Sequence, residues 1–189
     1  MARFLIFNMV LRQAPETFTT ERLVLRRPRL SDAAAIFEYG SDSTVVHFMD
    51  YRPRTHLDEV VKSLESHPER WNSGQFSWVL TVKPDDRAIG TIACSVEGHT
   101  AEFGYLLNQK YWGNGYATEA ARAIVQWAVN LPSVYRVWAT CDVENLASAR
   151  VLEKCGLVCE GRLRCYQIRP NIADIPRDAF IYARVRGDG

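Results

Sequence analysis

The stretch Leu106-Leu107-Asn108-Gln109-Lys110-Tyr111-Trp112-Gly113-Asn114-Gly115-Tyr116-Ala117-Thr118 carries the plainest chemical signal in the chain. A strand ends at Leu106-Leu107, a tight loop holds Gly113 and Gly115, and a helix follows at once. A junction of that kind points several backbone N–H groups and the positive end of a helix dipole at one spot, which makes an anion site suited above all to phosphates. The two glycines reach dihedral angles closed to other residues and let a ligand approach the backbone. Thr118, on the first helical turn, brings a hydroxyl within reach of a phosphate oxygen. Gly-x-Gly by itself equally describes a plain strand-to-helix turn. A dinucleotide fingerprint needs a third glycine where Thr118 stands, and a P-loop needs Gly-Lys-Ser/Thr, which the loop lacks.

Those residues need a frame. Residues 22–27 alternate as a strand closed by Pro28, and Ser31 or Asp32 can cap a helix with Ala33, Ala34 and Phe37 on one face. Leu57, Val60, Val61 and Leu64 fall at helical spacing and predict a helix over 56–66, with Pro68 just past its end. Strands over 76–82, 88–96 and 101–107, broken by Pro84-Asp85-Asp86 and Glu97-Gly98-His99, have the spacing of consecutive antiparallel hairpins. Ala117, Ala120, Ala121, Ile124 and Ala128 form one stripe of a helix over 116–130. A strand over 134–141, a short helix over 146–155 ended by Gly156, and strands over 157–168 and 179–185 complete the chain. This order predicts one α+β (mixed α/β) domain, a mostly antiparallel twisted sheet of about seven strands flanked by about four helices. The aromatic segment 45–53 reads equally as a pocket wall or a core-packing connector, and substrate choice is expected there and in 169–177.

Composition narrows the function classes. A chain of 189 residues buries a full core without disulfide or metal, and 47% apolar with 24% charged residues argues against disorder. Its 23 basic and 22 acidic side chains offer no general polyanion surface, so no directly bound nucleic acid is expected. Of those 23 cations 19 are Arg, the residue suited to bidentate anion contacts. No apolar run approaches the roughly 18 residues of a membrane span. The opening residues carry too short an apolar stretch before Asn8 for a signal peptide, so residues 1–16 read as an N-terminal extension, disordered or docked. Cys94, Cys141, Cys155, Cys159 and Cys165 lack paired spacing and read as reduced, mostly buried, inert thiols of a cytoplasmic protein. His47, His56, His67 and His99 are scattered without ligand spacing, so no metal is expected.

Ala101-Glu102-Phe103-Gly104-Tyr105-Leu106-Leu107, followed by Tyr111-Trp112-Gly113-Asn114-Gly115-Tyr116-Ala117-Thr118-Glu119-Ala120, resembles the GNAT superfamily of N-acetyltransferases. The likeness is in particular to the RimJ/RimL-like branch, which acetylates protein N-termini, notably of ribosomal proteins. Thr20-Glu21-Arg22-Leu23-Val24-Leu25-Arg26 and Asn145-Leu146-Ala147-Ser148-Ala149-Arg150-Val151-Leu152 extend it over most of an expected acetyltransferase domain at 17–189. The family's loop pattern, Gln/Arg-x-x-Gly-x-Gly/Ala, falls on Trp112 to Ala117, with Trp112 departing at its first position. The resemblance implies that Gly113, Asn114, Gly115, Tyr116 and Ala117, with Thr118, cradle the pyrophosphate of acetyl-CoA. It also implies that the strand ending at Leu106 and Leu107 splays from its neighbour, so that main-chain groups freed by a bulge pair with the pantetheine arm.

Acyl transfer from a thioester to an amine needs a neutral amine, a donor for the tetrahedral oxyanion and a stabilised leaving thiolate. The family often places a catalytic Glu on the strand before the loop, which here is Glu102. Half-buried there, a carboxylate has a raised pKa and accepts a proton, directly or through water; the same residue also reads as structural, paired to an Arg or exposed on the sheet. A backbone N–H near Leu107 is the expected oxyanion donor. Many relatives protonate the thiolate with a Tyr at the position of Leu152; the resemblance moves that role to Ser148, with Asn145 beside the pantetheine. Three residues apart, Asn145 and Ser148 share one helix face and also fit simple capping. Tyr105 and Tyr166 are possible pocket residues but read first as core, and Trp71, Trp78, Trp127 and Trp138 read as packing. The expectation is direct ternary-complex transfer from acetyl-CoA, without metal, to a primary amine, chiefly a protein N-terminal α-amino group. A small-molecule amine such as an antibiotic or polyamine, or a non-catalytic acyl-CoA-binding module, is the alternative, and the chain is expected as monomer or homodimer. The strand meander before the loop argues against a dinucleotide-dependent oxidoreductase.

Overall fold

A computed structural model describes residues 14–187. In chain order the elements are β1 (Thr17–Thr19), β2 (Leu23–Arg26), α1 (Ala33–Gly40), α2 (Leu57–Glu65), α3 (His67–Asn72), β3 (Gln75–Val82), β4 (Gly90–Glu97), β5 (Thr100–Leu107), α4 (Tyr116–Val129), β6 (Arg136–Asp142), α5 (Leu146–Lys154), β7 (Val158–Arg169) and β8 (Ala173–Val185). The strands form one eight-stranded sheet in the order β1-β2-β3-β4-β5-β6-β8-β7. Every neighbouring pair is antiparallel except β5 and β6, which are parallel and joined by the crossover through α4 that such a pair needs.

Alternation along β3 decides how the layers stack. Phe76, Trp78 and Leu80 share a core with Ala120, Ala121, Ile124 and Ala128 of α4, and the small alanines let that helix approach the sheet closely. Val79, on the opposite face by the pleat, packs with Ala35 and Ile36 of α1 and with Ala88. Helices therefore cover both faces of the central strand, and β3 reads as a nearly continuous apolar run. Trp78 meets Phe18, Trp71 and Trp127 edge-on at 5.3–5.6 Å between ring centres, and its indole N–H donates to the Pro15 carbonyl at 2.9 Å. Trp138 is half-buried outside that cluster, and Tyr166 is exposed on β7 rather than in the core. Residues 1–13 of the expected extension lie outside the described residues, whereas Ala14 packs on the core.

Several details differ from the sequence expectation. Pro68 lies just past the end of α2, as expected, and also sits in the first turn of a further helix, α3, where its missing N–H leaves no bond unmade. The three-residue β1 is too short to show alternation. β8 starts at Ala173, so the expected loop 169–177 is mostly strand, paired to β7 through register shifts. Among the thiols, Cys94, Cys141 and Cys155 are buried and Cys159 and Cys165 exposed. Burial pushes the Cys94 thiol up to about 12 and those of Cys141 and Cys155 up to about 11, so all three stay protonated near neutral pH.

Gly90 fixes the end of β5. A Cβ there would lie 2.5 Å from the Leu106 carbonyl oxygen and 2.9 Å from Leu107 Cδ1. Gly90→Ala must therefore displace Leu106 and Leu107, and it should cost about 1–3 kcal/mol of stability, read as a lower urea midpoint at unchanged m-value.

Candidate active site

β5 and β6 pair at only three positions, Thr100↔Arg136, Ala101↔Val137 and Glu102↔Trp138. Beyond Glu102, β5 stays with β4 as far as Leu107 and β6 stays with β8 as far as Asp142. The strands diverge into a wedge whose walls present main-chain N–H and C=O groups without a strand partner. The β4–β5 register runs unbroken from Gly90↔Leu107 to Glu97↔Thr100, so divergence frees these groups and not the expected bulge. The wedge belongs to a cavity of about 1250 Å³.

At its mouth lies the glycine loop. Gly113 and Gly115 have φ of +77° and +78°, and Gly115 is the N-terminal cap of α4. The N–H groups of Gly113, Asn114 and Gly115 donate to no described residue, the condition a diphosphate cradle requires. Trp112, which departs from the family pattern, ties the loop down by donating from its indole N–H to the Leu107 carbonyl at 2.7 Å. Arg22 donates to the Asn114 carbonyl at 2.9 Å and lies 4.8 Å over the Tyr116 ring. Glu119 holds Arg22 in place, accepting from its Nε at 2.7 Å and from its backbone N–H at 2.8 Å, and also accepts from the Thr20 hydroxyl at 2.6 Å. Burial works to raise the Glu119 carboxyl, but the Thr20 and Arg22 hydrogen bonds hold it below the usual carboxylate range. The Thr20-Glu21-Arg22 motif is thus a brace for the loop, a role its sequence did not reveal.

Along the wedge, Asn145 Oδ1 accepts from the Ser148 N–H at 3.1 Å, which caps α5 and leaves the Asn145 amide N–H groups free. The Ser148 hydroxyl accepts from Tyr105 Oη at 3.2 Å. Burial pushes the Tyr105 phenol up to about 12, with the Ser148 contact acting the other way. Glu102 stands where β5 and β6 part. It is exposed on the sheet rather than half-buried, borders the cavity and forms no ion pair among the described residues, so of its two structural readings only the salt-bridged one falls away. Desolvation by the cavity walls, with the negative charge of Asp50 adding to it, pushes its carboxyl above the usual range.

Glu102, Leu106, Leu107, Gly113, Gly115, Tyr116, Ala117, Thr118, Asn145 and Ser148 all border this one cavity; Asn114 does not, its side chain turning back to donate to the Tyr111 and Trp112 carbonyls. Segment 45–53 is both things the sequence allowed. Val45 and Val46 are buried, while His47, Phe48, Met49 and Asp50 line the cavity. Asn171 stitches that segment to the β7–β8 turn, donating to the Val46 and Tyr51 carbonyls at 2.7 and 2.8 Å, and Gln167 donates to Asp50 at 3.1 Å. Among the described residues no group of three His, Cys, Asp or Glu side chains is placed to hold a metal, and no helix is long and apolar enough to cross a membrane.

A family model described as an acetyltransferase (GNAT) domain matches residues 22–158. The uncharacterised N-acetyltransferase YnaD of Bacillus subtilis (strain 168) is 36% identical over 146 residues, 76% of this chain and 83% of that protein. The uncharacterised N-acetyltransferase p20 of Bacillus licheniformis is 31% identical over 156 residues, 80% and 88% of the two chains. The spermidine N(1)-acetyltransferase of Escherichia coli (strain K12) is 22% identical over 142 residues, 74% of each. Among solved structures, a GNAT-family acetyltransferase from Bacillus anthracis matches with a TM-score of 0.79 at 27% identity, covering 90% of this chain and 98% of that one. MccE, a microcin C7 self-immunity acetyltransferase bound to acetyl-CoA and AMP, matches at 0.79 and 21%, covering 92% and 98%. RimL, a ribosomal L7/L12 α-N-protein acetyltransferase bound to coenzyme A, matches at 0.80 and 18%, covering 92% and 100%. A family match across residues 22–158, joined by relatives above 30% identity over three quarters of the chain, decides the family: the protein belongs to the GNAT acetyltransferases and takes its acetyl group from acetyl-CoA.

Proposed function

We propose that the protein acetylates the primary amine of a small molecule by direct transfer within a ternary complex. The observation that carries this reading is the tie beside the cavity: Asn171 fastens segment 45–53 to the β7–β8 turn, so both segments are held against the space that Glu102 borders, which we read as room for a small amine rather than a polypeptide. RimL and MccE resemble the fold equally, with TM-scores of 0.80 and 0.79, so the RimJ/RimL-like likeness and its protein N-terminal acceptor gain nothing over a small amine. The relative named for spermidine acetylation is in keeping with a small amine acceptor.

In this reading the free amides of Gly113, Asn114 and Gly115, with the first turn Tyr116-Ala117-Thr118, hold the diphosphate. The β5 edge at Leu106 and Leu107, with the Asn145 amide, holds the pantetheine. Glu102 takes the proton of the attacking ammonium, directly or through water, and a backbone N–H near Leu107 donates to the developing oxyanion. Ser148 donates to the leaving thiolate. Buried, protonated Cys141 is no nucleophile, which agrees with transfer in one step between the two substrates.

The reading is tested by following thiol release from acetyl-CoA with small primary amines and with peptides of free N-terminus. Small amines should give the higher kcat/KM; a clear preference for the peptides would return the site to protein N-termini. The cradle has its own test. An alanine at Gly115 is held at a φ that costs an L-residue about 1–2 kcal/mol, and relaxation of the loop takes the amides off the ligand. Gly115→Ala should raise the KM for acetyl-CoA about tenfold. Gly98→Ala, at a φ of +59° on a turn with nothing within 4 Å, should leave that KM unchanged.

A further inference from the structure

Four charged side chains are more than nine-tenths buried among the described residues: Arg26, Asp32, Asp142 and Arg169. Three are matched, Arg26 with Asp32 at 2.8 Å and Asp86 at 2.5 Å, and Asp142 with Arg177 at 2.7 and 3.0 Å. Arg169 is 7% exposed, and its guanidinium makes no hydrogen bond or ion pair with any described residue. A buried cation without a partner is costly, and folded proteins keep one where something else supplies the charge.

Arg169 borders the catalytic cavity, between Gln167 and Asn171, whose side chains fasten segment 45–53. It is close enough to Cys141 and Asp142, at the end of β6, for its charge to favour their ionised forms. Asp142 makes no hydrogen bond to it: that carboxylate accepts from Arg177 and from the Glu144 N–H, and Arg177 is paired with Glu144 as well. The guanidinium's planar fork of N–H donors matches a carboxylate or a phosphoryl group in two parallel hydrogen bonds. In the same cavity Glu102 and Asp50 carry negative charges that no cation pairs among the described residues. The cavity thus offers carboxylates for an ammonium and a buried fork for an oxyanion.

We propose that Arg169 binds an oxyanion of the acceptor, so that the substrate is a small amine that also carries a carboxylate or phosphoryl group. The inference rests on the amine-acetylating reading above. It adds a specificity residue and a substrate class: molecules in which amine and oxyanion are close enough to share one cavity.

Two matched pairs of acceptors test it, alanine against alaninamide and 2-aminoethyl phosphate against 2-aminoethanol, in the native protein and in Arg169→Met. The native protein should favour the oxyanion-bearing member of one pair by roughly 10- to 100-fold in kcat/KM, the worth of a charged hydrogen-bonded contact. The pair that responds tells carboxylate from phosphoryl group. Arg169→Met should bring that ratio close to one, and the change on substitution cancels the difference in amine basicity. Ratios near one in the native protein, or a preference that survives in Arg169→Met, would overturn the proposal. A second measurement needs no turnover. With coenzyme A saturating the diphosphate cradle, acetate or inorganic phosphate should raise the Tm of the native protein and not that of Arg169→Met. An equal response of the two proteins overturns the oxyanion site whatever the kinetics. Absence of transfer to every amine, with the difference in Tm intact, would instead remove the amine-acetylating reading and leave the oxyanion site standing.

Discussion

Glu102→Gln should lower kcat by about 10²–10⁴, the usual contribution of a positioned general base. Gln keeps the size and polarity of the side chain and removes only its capacity to accept a proton. The pH dependence supplies the sharper signature. Desolvation, helped by Asp50, raises the Glu102 pKa, so in the native protein the base is protonated and inactive below that raised value. The rate should therefore fall as pH drops through a point above the ordinary carboxylate range, and Glu102→Gln should lose that limb, keeping only the dependence set by the amine itself. Stability must move the other way. A carboxyl whose pKa is raised on folding binds its proton more tightly in the folded state, so its ionisation opposes folding once pH exceeds the raised value. Glu102→Gln should then have a Tm at pH 7 no lower than the native protein, which separates a lost base from a damaged fold. Full activity with an unchanged acid limb would leave water as the base and Glu102 as a bystander.

The wedge that exposes Glu102 follows from a competition between strands. β5 is held by β4 over eight paired positions and β6 by β8 over seven, against three between β5 and β6. Each follows its longer partnership, and sheet twist carries the two apart. Hairpin spacing made β3, β4 and β5 legible in the sequence, the alanine stripe made α4 legible, and the paired glycines marked the loop between them. A count of pairing partners has no counterpart in local pattern, so the splay of β5 was implied only by the family resemblance, which ascribed the freed groups to a bulge that the β4–β5 register does not have. The same limit hid the site's supporting contacts. Arg22 and Glu119 are 97 residues apart, and Tyr105 and Ser148 are 43 apart. Neither spacing leaves a periodic trace. Tyr105 reads as core because aromatic residues on strands usually are, and Arg169 lies in the segment 169–177 where substrate choice is expected, with nothing in its spacing to single it out. Burial of one and hydrogen bonding of the other are tertiary facts.

Leu152 occupies the position where many relatives carry a thiolate-protonating Tyr, and it is fully buried, so the acid must come from elsewhere. In the proposed reading Ser148 and Tyr105 together meet the need. A serine hydroxyl alone is a poor acid, but here it accepts a hydrogen bond from Tyr105, which leaves its own proton free to face the sulfur. In the proposed relay, as the carbon–sulfur bond breaks, the thiolate would take the Ser148 proton and Ser148 that of Tyr105, whose pKa of about 12 makes it the better donor of the two. Cavity water then restores the phenol. Ser148→Ala should lower kcat by about 10² or more, the lower range for a positioned acid, with little change in the KM for acetyl-CoA. Tyr105→Phe should cost a similar factor, and the double variant little beyond either one, because both substitutions cut the same relay. An acetyl thioester of a more acidic thiol, whose departure needs less help, should narrow the gap between native and variant proteins. Multiplicative losses in the double variant, or a gap indifferent to the leaving group, would show the Tyr105–Ser148 contact to be a packing detail, with the thiolate leaving unaided.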